Sequence, residues 1–318
     1  MIEYGLPVLF ALFIWWFSTG VILYLDGLPR RSFRWSMIGA TVLLAAALWG
    51  LWWSSEDASI GGAFVAFTCG LLVWGWHEIS FLTGLVTGPR KTPCPPGSTG
   101  WRRFLRASET IIHHEIAIAV TAALIVALTW GGANQTGLWT FVILWLMRLS
   151  TKLNIFLGVP NLTEEFLPAH LHYLKTYFRK SGINPLFPVS VSVSTVITVL
   201  IALEAVEPLA TPYQAASATF LATLMALAVL EHWLLVLPIP DAVLWRWALR
   251  SHKKGDHECG TAAEIAAGGL KVSRLDLPKR LETVQQLTEN EAMTTEKEGL
   301  RRFYSSIGAH RAPKINWR

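Results

Sequence analysis

Residues 60–83 read IGGAFVAFTCGLLVWGWHEISFLT, with no charged side chain before the closing His77-Glu78 pair. About 20 consecutive apolar residues are what an α-helix needs to cross a bilayer, and this stretch meets that length. Gly, Ala and Thr recur along it, as they do where helices touch inside a membrane. Its two ionisable residues are expensive there, so they are expected to face the bundle interior and to mark a functional site.

Six more stretches of this kind can be drawn, near 5–25, 35–53, 110–131, 137–157, 186–204 and 214–237. The expected fold is therefore all-α: a polytopic integral membrane bundle of about seven transmembrane helices over 1–240. Residues 241–318 lose hydrophobicity and gain charge, and are expected to form a partly helical tail with helices over 277–293 and 294–304. Composition agrees, with 52% hydrophobic and 15% charged residues and a mean hydropathy of +0.40; a soluble domain carries about 25% charge. Many of the sixteen Trp flank apolar runs, where they settle at membrane–water interfaces. Trp15, Trp16 and Trp145 lie mid-span and need another reason, such as packing.

Charge fixes the expected orientation. Arg30, Arg31 and Arg34 follow the first span; Arg90, Lys91, Arg102, Arg103 and Arg106 follow the third. Lys175, Arg179 and Lys180 follow the fifth, and fourteen Lys or Arg follow the seventh. The alternate connections carry none. By the positive-inside rule the N-terminus is outside and the tail cytoplasmic. The net charge of +5 is mostly this asymmetry, so it implies no nucleic-acid partner; the expected partner is the lipid bilayer. Cys69, Cys94 and Cys259 are isolated, which supports neither a disulfide framework nor a zinc knuckle. The N-terminus lacks a basic n-region and a small-residue cleavage site, so the first apolar run is expected to remain a span.

Six of the nine histidines sit in or beside apolar segments, several next to a carboxylate. They are His77-Glu78, His113-His114-Glu115, His170 and His172 after Glu164-Glu165, and Glu231-His232. The orientation puts all of them toward the cytoplasmic side. Helical phase sets His77 on a face with Gly70, Ser80 and Gly84, and His114 with Ala107, Thr110, Ala117 and Thr121. In the third basic loop, Asn161 with Glu164 three residues on predicts a helix start. An amphipathic interfacial helix is expected near 162–180, with His170 on its apolar face and His172 beside Glu165.

Three chemistries fit these residues. His77, His113, His114, Glu115, Glu165, His170, His172, Glu231 and His232 are candidate ligands for a transition metal such as iron. The Glu-x-x-His spacing of di-iron bundles is absent; the nearest is Glu109 to His113. Alternatively His77 and His114, with small neighbours, are candidate axial ligands for a pigment or haem. The third possibility is an ion-pair network, with Glu78, Glu115 and Glu231 meeting Arg148 and Lys152, which stand i, i+4 on the fifth span.

Several motifs carry a family resemblance. They are His77-Glu-Ile-Ser-Phe-Leu-Thr-Gly84, Val86-Thr-Gly-Pro-Arg90, Gly100-Trp101-Arg102-Arg103-Phe104 and His113-His114-Glu115. The longest runs Thr151-Lys-Leu-Asn-Ile-Phe-Leu-Gly-Val-Pro-Asn-Leu-Thr-Glu-Glu-Phe-Leu-Pro168. Over roughly residues 5–250 the chain resembles the PuhE family of photosynthetic-complex assembly proteins. That resemblance implies an inner-membrane factor of phototrophic proteobacteria. It would support assembly of the reaction centre and light-harvesting complex, or supply bacteriochlorophyll to it. The implied partners are reaction-centre or light-harvesting subunits and other assembly factors. No catalytic residue carries over. The alternative is a membrane-bound, di-iron-like metalloenzyme acting on a pigment or quinone precursor.

Overall fold

A computed structural model describes residues 2–162, 167–237, 245 and 248, all within the first of two units, Met1–Thr261. The tail beyond, with the helices expected over 277–293 and 294–304, lies outside the described residues, as do Glu164 and Glu165.

Eight α-helices follow one another: α1 Gly5–Asp26, α2 Phe33–Ser54, α3 Ile60–Leu82, α4 Gly100–Ser108, α5 Ile112–Leu128, α6 Thr136–Leu157, α7 Leu186–Ala205 and α8 Pro212–Leu234. No strand occurs among the described residues; Val159 and Lys180 form one isolated bridge. Six helices are long and apolar enough to cross a membrane. The bent pair α4 and α5, at 61°, makes a seventh if taken as one span. The expected all-α membrane bundle is thus the observed one. Outer faces are apolar, as in α7, where Val189, Val193, Val196, Leu200 and Leu203 are all exposed.

Local chemistry explains the starts. Ser59 accepts the Gly62 amide at 3.0 Å ahead of α3. Thr211 and Gln214 form a reciprocal capping box before α8, with Pro212 in the first turn. Asn184 anchors α7 by accepting the Leu186 and Phe187 amides and donating to Asn154 and Gly158.

About half of α3 and of α8 is buried, more than in any other span. Phe67 of α3 stacks on Phe220 of α8 at 4.4 Å, with Phe10 of α1 edge-on to both. Helices α3 and α6 approach backbone to backbone at Gly70 and Gly137. A Cβ on Gly70 would lie 2.7 Å from the Gly137 carbonyl oxygen, and one on Gly137 2.7 Å from that of Ala66.

Two expectations fail locally. The break between α4 and α5 separates Ala107 and Thr110 from the wheel that carries His114, so only Ala117 and Thr121 share its helix. The helix expected near 162–180 is instead a 3₁₀ helix, Ala169–Tyr177, entered from Pro168. The Asn161 side-chain amide donates to the Leu234 carbonyl at 3.0 Å and to that of Leu237, tying the loop to the end of α8; the amides it would cap lie outside the described residues.

Candidate functional site

Arg148 and Lys152 stand one turn apart on α6 and reach two neighbouring helices. Lys152 Nζ meets Glu115 of α5 at 2.6 Å, and Arg148 meets Glu78 of α3 at 3.4 Å. Two of the carboxylates also accept an indole N–H. Trp145 donates its indole N–H to Glu115 at 3.1 Å, and Trp15 of α1 donates to Glu231 of α8 at 2.9 Å. A buried carboxylate is tolerable only when paired and hydrogen-bonded, and these contacts supply that. Trp15 and Trp145 therefore act as donors as well as packing. A Trp at membrane depth, where its N–H needs a partner, was the available signal for them.

Between α1, α3, α6 and α8 the layer opens into a cavity of about 160 Å³. Glu78, Arg148 and Glu231 line it, with Ser18, Thr19 and Trp15 on one wall. The space is enough for several waters, set among charges of both signs.

Beside this layer His77 and His114 come together, as their shared depth predicts. Both are fully buried and their ring centres are 6.2 Å apart. Both nitrogens of His77, and Nδ1 of His114, lack hydrogen-bond partners. Phe81 packs 4.7 Å from the His114 ring and Phe141 5.8 Å from that of His77.

The other predicted ligands do not join them. His113 is exposed on the far side of α5. His232 is buried but occupied, with Nε2 at 2.9 Å from Ser150 Oγ and Nδ1 at 2.9 Å from the Ala228 carbonyl. His172 is exposed, with Nε2 3.2 Å from the Leu167 carbonyl. His170 lies against Gly84 instead, and Glu165 lies outside the described residues. Glu115 and Glu231 are engaged by Lys152 and Trp15. Among the described residues no group of three or more His, Cys, Asp or Glu is placed to hold a metal ion. Of the nine predicted residues, the described structure brings His77 and His114 together as one pair of imidazoles. Helical rotation of about 100° per residue drives His113 and His114 apart, and the ion pairs take the carboxylates. Imidazole nitrogen suits a transition metal or the central metal of a tetrapyrrole, and on that count the pair fits; the carboxylates add nothing to it.

Fold and layer together define a multi-pass α-helical membrane protein with cross-bundle ion pairs at the basic end. The chain belongs to the family described as "Protein of unknown function (DUF3623)", whose model matches residues 1–256. It is similar to a protein of Rhodobacter capsulatus described as "Uncharacterized 30.4 kDa protein in puhA 5'region". The two are 42% identical over 271 residues, covering 84% of this chain and 97% of the relative. No solved structure matches it.

Proposed function

We propose that this chain is an inner-membrane accessory factor for assembly of the bacterial photosynthetic complex. It works by holding and contacting its partners, reaction-centre or light-harvesting subunits, rather than by catalysis at the charged layer. The carrying observation is that Glu78, Glu115 and Glu231 are each engaged by a cation or an indole N–H. Carboxylates so tied stiffen a bundle and leave little capacity for ligand exchange or proton abstraction. The gene context printed for the Rhodobacter capsulatus relative, and the resemblance to PuhE, support the assembly setting. In this reading the N-terminus is periplasmic and the basic end, with its tail, cytoplasmic.

The test is deletion of the gene in a phototrophic host, complemented by the wild type and by Arg148→Met. Absorption of isolated membranes reports assembled complexes, and solvent extraction reports total pigment. Deletion is expected to lower assembled complexes several-fold while pigment falls less, with the wild type restoring both and Arg148→Met only in part. Wild-type absorption in the deletion strain sinks the reading. Accumulation of a pigment or quinone precursor would hand it to the metalloenzyme alternative.

The unpartnered nitrogens of His77 and His114 favour a second reading, in which the pair takes a transition metal such as iron, or a tetrapyrrole. Elemental analysis and an absorption spectrum of detergent-purified protein, beside His114→Ala, decide it. A stoichiometric metal or a tetrapyrrole band, lost in the variant, is the expected result of that reading. A colourless, metal-free wild type removes it.

A further inference from the structure

After α3 the sequence runs Thr83-Gly-Leu-Val-Thr87-Gly-Pro-Arg-Lys91, and glycine is required at its second position. Gly84 has φ +77, a backbone that side chains disfavour, and it turns the chain back so that the Leu85 and Val86 amides both reach the Ser80 carbonyl at 3.0 Å. The turn buries Thr87, 3% exposed. Its carbonyl accepts the His114 amide at 2.9 Å, and its hydroxyl is buried facing that of Tyr173.

The 3₁₀ helix Ala169–Tyr177 faces this turn. Residues i and i+3 eclipse on a 3₁₀ helix, so His170 and Tyr173 present their polar ends side by side. His170 Nε2 and the Tyr173 hydroxyl are buried; the hydroxyl faces that of Thr87, and Nε2 lacks a hydrogen-bond partner. The His170 ring lies over Gly84, where a Cβ would come within 3.1 Å of it. Arg30, in the turn after α1, and Lys91, whose Nζ is 3.4 Å from the Gly84 carbonyl, complete the rim. Together with Phe33, Thr83 and Leu171 they enclose a cavity of about 340 Å³ with no acidic residue in its lining.

An unsatisfied buried polar atom is costly, and native structures keep few. Here the facing Thr87 and Tyr173 hydroxyls and the unpartnered His170 Nε2 converge on one space bounded by two cations. Burial pushes the Tyr173 phenol above its ordinary range, which keeps it a hydroxyl donor. Burial and then the Arg30 charge hold the His170 imidazole below its ordinary range.

We propose that this cavity binds a phosphate group, with Arg30 and Lys91 supplying charge and the Thr87 and Tyr173 hydroxyls the hydrogen bonds, beside the neutral His170 ring. Phosphate offers several acceptor oxygens to such donors, and arginine and lysine are its usual partners. The group belongs either to a soluble phosphate compound or to a lipid headgroup, since the basic end lies where headgroups lie. The proposal stands apart from the assembly reading, because binding is measured on the purified chain.

Full-length protein in a non-ionic detergent is titrated with inorganic phosphate and, separately, with dihexanoyl phosphatidylglycerol below its micellar concentration. Tryptophan fluorescence reports the melting temperature. A saturable rise is expected with at least one probe. The apparent affinity should fall by about tenfold or more in Arg30→Ala/Lys91→Ala, as loss of charge-assisted contacts requires. Tyr173→Phe should weaken it less. Arg30 and Lys91 are exposed, so the double variant should melt normally without ligand. Saturation by inorganic phosphate points to a soluble ligand; saturation by the lipid alone points to a headgroup. No saturation with either probe overturns the site. So does an equal loss in Arg31→Ala/Arg102→Ala, which removes two exposed cations outside the cavity.

Discussion

Lys152→Met destabilises the bundle by about 3 kcal/mol, because it strands the Glu115 carboxylate in a protein interior with its cation removed. Both partners are largely enclosed, with side-chain exposures of 21% and 16%, so solvent cannot screen the loss. Trp145 still donates one hydrogen bond to Glu115, which keeps the cost at the low end of the range for broken buried pairs. The packing of Lys152 over Phe81, 5.7 Å from its ring centre, is largely preserved by the methionine. The double variant Lys152→Met/Glu115→Gln should recover most of the loss, since neutralising both partners removes the stranded charge. A double-mutant cycle measured by reversible unfolding in mixed micelles gives the coupling. If the single and double variants fall equally, the ion pair is not what holds α5 to α6, and the layer loses its structural role.

Gly137→Ala is expected to cost about 2 to 3 kcal/mol, the scale of overpacking a tight contact. Its new methyl would meet the side chain of Leu51 and, at 2.7 Å, the carbonyl oxygen of Ala66. The first can swing away; the second is backbone, so α3 and α6 must part. The reciprocal change, Gly70→Ala, meets the Gly137 carbonyl at the same 2.7 Å and should cost a similar amount. Because this crossing sets the distance between Glu78 and Arg148, the same substitutions should weaken their coupling. Gly39→Ala in α2 is the matched control. Its Cβ would meet nothing within 4 Å, and helix propensity alone predicts a gain of up to about 1 kcal/mol. Thermal melts of the three variants under one detergent condition decide the matter. If all three behave alike, close backbone contact is not what packs this bundle.

Some of the candidate site was legible because membrane burial leaves few choices. Arg148 and Lys152 at i, i+4 had to share a face, and only Glu78, Glu115 and Glu231 lay at their depth. Their pairing follows from the cost of an unpaired charge in hydrocarbon. The meeting of His77 and His114 was legible as a shared depth. The exclusion of His113, His170, His172 and His232 was not, because depth carries no information about which way a side chain turns across a bundle. The tie from the Asn161 side-chain amide to the end of α8 was likewise not legible, because it joins residues over 70 apart in the chain.

The sequence by itself determined the spans and the end of the molecule that carries charge. Apolar length and the placement of Lys and Arg are local quantities, and a bilayer reads them directly. Only the tertiary structure decided the bend between α4 and α5, the indole donors of Trp15 and Trp145, and the cavity that joins Arg30 to His170 and Tyr173. Each depends on contacts between residues far apart in the chain. Those contacts are selected by packing of whole helices and by hydrogen-bond partners that compete in three dimensions, neither of which a one-dimensional pattern records.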